Sequence, residues 1–205
     1  MPTTTQTSAP ALQDRVRKIL VTPKTEWQVI DAESTDVATL YKSYIMILAA
    51  IPAVCTFIGM TVFGLQVPFV GTIRTPVANA LAHAILAYVL GLAAVYVAAL
   101  IVDKIAPTFE SKPNMIQALK LVAYASTAGW VAGVLNIIPA LSIIAALVSL
   151  YGIYLVYLGL PVLMKTPDAK VIPYMVLAAV VVFVLWIVVS MIVGVVVGVG
   201  TVATL

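Results

Sequence analysis

Side chains able to do chemistry are few in this sequence, and their spacing joins almost none of them. There is one histidine, His83, and one cysteine, Cys55. A metal site needs several such ligands at set spacing, so the residues predict no metal. Ser126, Thr127, Ser142, Ser149 and Ser190 lie in apolar stretches. A serine nucleophile needs a base beside it; His83 and Lys120 are present, but no motif links either to a serine. No Gly-rich phosphate loop, His-Glu zinc motif or pair of carboxylates occurs within the apolar stretches. The expectation is a protein that is not an enzyme and uses no cofactor.

Only one polar constellation is placed to matter inside an apolar stretch. Asn79 precedes His83 by four residues, which puts both on one face of a helix. An ionisable group inside a membrane is a functional candidate by default. The alternative is a hydrogen-bonding pair that holds two helices together, worth roughly 0.6–2 kcal/mol. Both readings of this intramembrane polar site stay open.

The elements that would position these residues follow from composition. The chain has 205 residues, 63% apolar and 9% charged, with a mean hydropathy of +1.14. Soluble domains carry about 25% charged residues, so lipid must be the solvent for most of this surface. The net charge of +3 does not point to nucleic acid, because the basic residues sit beside apolar spans and form no separate basic face. Cys55 alone excludes an internal disulfide. The first forty residues are polar and mixed, so no cleavable signal peptide is expected.

Four stretches lack Asp, Glu, Lys and Arg: Ser43 to Ile73, Thr75 to Val102, Leu121 to Met164, and Val171 to Leu205. A helix needs about 20 residues to cross a bilayer core. The third stretch has 44 residues, about 66 Å as one helix, so it must fold back. Asn136 and Pro139 supply the turn, since proline removes an amide donor and disfavours helix in the residue before it. The prediction is an all-α membrane protein with five transmembrane helices, at about 42–64, 76–102, 118–136, 140–164 and 173–200, joined to short cytoplasmic N-terminal helices. The organisation expected is a disordered tail over 1–11, an interfacial helical segment over 12–41, and the membrane domain over 42–205.

Of the eleven Lys and Arg residues, only Arg74 falls in a loop on the far side from the N-terminus. The positive-inside rule therefore places the N-terminus in the cytoplasm and the C-terminus outside. The outer side is left with a loop around residues 65–75 and a tight turn at 136–139.

In the tail, Leu12, Val16, Ile19 and Leu20 recur at helical spacing with Arg15, Arg17 and Lys18 among them. This predicts a short helix, lying either at the headgroups or on the inner end of the bundle. Thr22-Pro23 reads as a helix start, with Thr22 as cap and Pro23 at the first position. Five bases and five acids share the tail, so it is no polybasic anchor.

Small residues recur every fourth position: Ala125, Gly129 and Gly133 in one span, Ser190, Gly194 and Gly198 in the last. Such faces allow close helix packing, within a chain or between chains. Pro52 frees the carbonyl of Leu48 and kinks the first span. Tyr151 and Tyr154 are expected to hydrogen-bond within the bundle, with Tyr157 nearer the interface.

The stretch Arg15-Val-Arg-Lys-Ile-Leu-Val-Thr-Pro-Lys-Thr-Glu-Trp27, leading into five spans, resembles bacterial members of the Yip family (Ypt/Rab-interacting proteins). So does Tyr151-Gly-Ile-Tyr-Leu-Val-Tyr-Leu-Gly-Leu-Pro-Val-Leu-Met-Lys165, followed by Thr-Pro and Pro173-Tyr174. The resemblance covers roughly residues 12–200 and implies five spans with a cytoplasmic N-terminus. Eukaryotic relatives bind small GTPases and act in vesicle traffic and membrane shaping. Their Asp-Leu-Tyr-Gly-Pro tail motif is absent here, so the resemblance implies the bacterial branch, with no Rab-type GTPase partner and no catalytic residue to carry over.

The sequence thus predicts a non-enzymatic, self-associating protein of the bacterial inner membrane that organises the lipid bilayer or scaffolds other membrane proteins. The alternatives are a small channel or transporter, with its pore in the bundle or in an oligomer, and an accessory subunit of a larger complex.

Overall fold

The computed structural model describes residues 11–67 and 71–202. The expected disorder of the first residues falls outside them, apart from residue 11.

Apolar residues at helical spacing build α1, Leu12–Val21. Pro23 opens α2, Pro23–Ala32, because its fixed φ and missing amide suit a first helical position. Thr22 stands before it, but its side chain does not cap α2. Its hydroxyl instead donates to the carbonyl of Lys18 at 3.2 Å, so the side chain closes α1, while the Thr22 carbonyl accepts from the amide of Glu26 at 3.1 Å and begins α2. The two helices form a tight helical hairpin.

Five helices long and apolar enough to cross a membrane follow: Val37–Phe63, Val77–Phe109, Met115–Ile137, Pro139–Leu163 and Asp168–Val202. They are called spans 1 to 5. Side-chain caps set two of their starts. Asp36 accepts from the amide of Thr39 at 2.6 Å before span 1, and Asn114 accepts from the amides of Ile116 and Gln117 before span 3. Both remove orphan donors of the first turn. The expected fold-back stands where Asn136 and Pro139 placed it: span 3 tightens to 3-10 geometry over Gly133–Ile137, and Pro139 opens span 4.

Burial ranks the spans. In its most apolar window span 3 is 67% buried, against 11 to 22% for the other four. Span 3 is therefore the axis of the bundle. Span 1 and span 2 pack on it, span 4 folds back along it, and span 5 rests on span 2 and span 4. Glycines allow close approaches between the spans. A Cβ at Gly133 would lie 2.6 Å from the Cβ of Pro52, so Pro52 of span 1 seats directly on span 3. A Cβ at Gly152 would lie 2.8 Å from the carbonyl oxygen of Ala125, which fixes the spacing of spans 3 and 4.

The segment expected as a loop at 65–75 contains a small antiparallel hairpin. Strand β1, Leu65–Val67, pairs with β2, Gly71–Ile73, in the register Leu65↔Ile73, Gln66↔Thr72 and Val67↔Gly71. Gly64 at φ 73° and Gly71 at φ 95° take backbone geometry that glycine adopts without strain. Strands of three residues are too short for the alternation that marks a strand in sequence.

Candidate functional site

Two regions of the described residues are candidate sites: the seat of the tail hairpin and a cavity among spans 1, 2 and 5.

Trp27 anchors the first. It is fully buried, edge-on to Tyr124 of span 3 with ring centroids 6.2 Å apart. Gly159 of span 4 makes room for it, since a Cβ there would lie 3.0 Å from the indole. Ile19 and Ile30 are fully buried beside it. The hairpin is therefore packed on the bundle.

Charge then fastens it. Arg15 of α1 is 3% exposed and Glu26 of α2 is 4% exposed. The guanidinium donates to the carboxylates of Glu26 and Glu33 and lies 5.7 Å from the centre of the Tyr124 ring. Burial works against the Arg15 charge, but the hydrogen bond to Glu33 and the nearby negative charges outweigh it and hold its pKa above the ordinary value. A buried charge survives only when paired and hydrogen-bonded, and here both conditions are met.

The C-terminal end of α2 is clamped from the spans. Lys120 of span 3, 2% exposed, donates to the carbonyls of Ile30 at 2.8 Å and Glu33 at 2.6 Å. A cation on the last carbonyls of a helix satisfies orphan acceptors and complements the helix dipole. Gln117 donates to the Asp31 carboxylate at 3.1 Å, and Lys165 reaches its other oxygen at 2.5 Å. At the opposite end, the hydroxyl of Tyr151 donates to the carbonyl of Leu20 at 3.0 Å. Tyr154, expected to bond inside the bundle, is instead 42% exposed.

The sequence reading missed this clamp. Nothing in local spacing pairs Lys120 with the end of α2, or Arg15 with residues 11 and 18 positions away. The one available signal was the equal number of acids and bases in the tail.

The second region is a cavity of about 500 Å3 whose walls include Pro52, Thr56, His83, Trp130, Trp186 and Ser190. His83 stands on this wall with a buried Nδ1 that has no hydrogen-bond partner. No hydrogen bond joins it to Asn79 among the described residues. Gly194 also borders the cavity, and a Cβ on it would meet nothing within 4 Å. Of the small residues expected at close contacts, Gly133 meets Pro52 and Gly129 meets Ser149 within the chain. Ser190 and Gly194 face open space at the cavity, and the surroundings of Gly198 lie outside the described residues. No group of three or more metal-binding side chains occurs among the described residues.

Known proteins agree with this architecture. A Yip1 domain matches residues 17–203. The chain is 28% identical over 142 residues to the inner membrane protein YohC of Escherichia coli K12, covering 68% of this chain and 73% of YohC. YohC of Escherichia coli O6:H1 matches to the same extent. No solved structure matches the chain. The match takes in both the clamped tail from Arg17 onward and all five spans, and the chain belongs to the Yip1 domain family of multi-pass membrane proteins.

Proposed function

We propose that this protein is a non-enzymatic, membrane-organising protein of the bacterial inner membrane that self-associates through the face of span 5 bearing Ser190 and Gly194. The N-terminus and the docked hairpin lie in the cytoplasm and the C-terminus outside. The observation that carries self-association is the open space at Gly194. A small-residue face lets backbones approach closely, and no helix of the same chain takes up that approach here. A second copy is the occupant that fits it.

The absence of catalytic work for the charged groups supports the non-enzymatic part. Arg15, Glu26, Glu33, Asp31, Lys120 and Lys165 are all engaged in holding the hairpin, and the family is not one of known enzymes. The test is Gly194→Leu, with the mass of the protein measured in detergent and in nanodiscs. Loss of the oligomer with an intact fold is expected; an unchanged oligomer, or a wild-type monomer, refutes self-association through this face.

One observation favours a second reading, a small channel or transporter. His83 presents an unpartnered nitrogen at a cavity inside the membrane domain. If reconstituted protein carries a pH-dependent ion or solute flux that His83→Ala abolishes, transport replaces the organising role. The organising reading expects no such flux, and a His83→Ala protein that inserts and assembles.

A further inference from the structure

The hairpin lies along span 4 for much of that span's length. Asp31 meets Lys165 just past the end of span 4, and Leu20 meets Tyr151. Tyr151 to Leu163 is about 18 Å at helical rise. Helical side chains tilt toward the helix N-terminus, which directs Tyr151 further from the tail end and the hairpin tip with it. The outward surface of the hairpin is mostly polar: Gln13, Arg17, Lys18, Lys24, Thr25 and Gln28 are exposed, with Val21 and Val29 the apolar exceptions.

The flank of spans 2 and 5 is different. Span 2 exposes apolar side chains from Val77 to Leu100, and span 5 from Ile172 to Val196. These lengths are about 34 and 36 Å at helical rise, enough for a hydrocarbon core of about 30 Å. On the span 4 flank only the stretch from Pro139 to Tyr151, about 18 Å, lies beyond the hairpin. Tyr154 and Tyr157, exposed at 42% and 43%, lie in the stretch of span 4 that the hairpin covers, and tyrosines with free hydroxyls favour a membrane–water boundary.

From this juxtaposition we infer that the bilayer is thinned on one flank: phospholipid headgroups of the tail-side leaflet descend against the polar face of the hairpin, by roughly 10 Å relative to the span 5 flank. A flat leaflet would bury Arg17 and Lys24 in hydrocarbon, where charge is strongly disfavoured, or would strip the apolar inner ends of spans 2 and 5 of lipid. A leaflet that tilts across the bundle avoids both. The two cations meet lipid phosphates, so anionic headgroups are favoured there. The inference deepens the membrane-organising reading on which it rests and is independent of self-association.

The test compares depth at two sites. In a Cys55→Ala background, nitroxide labels are placed singly by Lys24→Cys and Ile172→Cys in the full chain. The protein is reconstituted in nanodiscs of phosphatidylcholine and phosphatidylglycerol. Residue 172 lies about 6 Å from the start of its span and the hairpin tip about 18 Å along span 4, so a flat bilayer makes position 24 the deeper. The inference expects the reverse: a several-fold higher collision rate with a water-soluble nickel chelate at 24, and preference for oxygen at 172. Oxygen preference at both sites, or nickel access at both, overturns it. A pair of labels at positions 24 and 148 checks docking, and a broad distance distribution overturns it as well. A monomer that keeps the inverted depth order would defeat self-association alone, whereas an oligomer with labels in flat order would defeat this inference alone.

Discussion

The ammonium of Lys120 donates to the carbonyl oxygen of Ile30 at 2.8 Å, across 90 residues of chain. A lysine from the central span thereby serves as the C-terminal cap of a helix that never crosses the membrane. The contact ties the tail to the axis of the bundle, on which spans 1, 2 and 4 pack.

Replacing Lys120 with Met keeps the stem and removes the donors. The buried carbonyl of Ile30 then has no partner, which costs on the order of 1–3 kcal/mol. The expected result is a hairpin that opens while the spans stay folded. Trypsin cleavage at Arg17, Lys18 and Lys24 in detergent should accelerate in Lys120→Met. Wild-type protection and an unchanged melting temperature would contradict the clamp.

Arg15 and Glu26 form a buried pair, and such pairs behave asymmetrically under mutation. Arg15→Met leaves the Glu26 carboxylate buried without its cation, a loss of about 3–5 kcal/mol. Removing both charges with Arg15→Met and Glu26→Met should cost less than Arg15→Met alone, because the carboxylate then left without its cation is that of Glu33, whose side chain is 27% exposed rather than fully buried. Chemical or thermal unfolding of the single and double variants measures the difference. A double variant that is the less stable of the two would mean that the pair stabilises the fold beyond merely cancelling its own burial.

Gly133 and Gly194 carry the same residue type at different packing. A methyl at Gly133 runs into Pro52, so Gly133→Ala should destabilise by about 1–3 kcal/mol through overpacking. In the detergent-solubilised monomer, Gly194→Ala should change stability by less than about 0.5 kcal/mol. Equal effects at the two sites would show that the open face at Gly194 closes in solution.

The orientation rests on the lysine and arginine count and is open to direct measurement. Reporters active on only one side of the membrane, fused after residues 70, 110, 168 and 205, should read outside, inside, inside and outside. A cytoplasmic signal at Leu205 would contradict the proposed topology.

Much of the fold was legible because hydropathy is local. Each charge-free stretch fixes a span by length alone, and Pro139 marks where the long third stretch must turn. The helical spacing of Leu12, Val16 and Ile19 likewise marks α1, and Pro23 the start of α2. The strand pairing of Leu65 with Ile73 was not legible, since three-residue strands are too short for a period-2 alternation to show. Nor was the role of Tyr151: its spacing says only that it is deep, and its partner is a backbone carbonyl 131 residues earlier.

The sequence by itself determined that lipid is the solvent, that there are five spans, and which segments flank them, because these follow from the transfer energies of contiguous residues. Only the tertiary structure decided that Lys120 is a buried cap rather than a loop charge, and that Arg15 is locked between Glu26 and Glu33. It also decided that Gly133 is filled while Gly194 stands open. Each of these depends on which surfaces meet across a long stretch of chain. Hydropathy fixes how deep a residue lies, but it is nearly the same for every rotation of a span about its axis. The choice of neighbours was made by packing Trp27 into the space left by Gly159 and by the need to pair every charge that this packing buries.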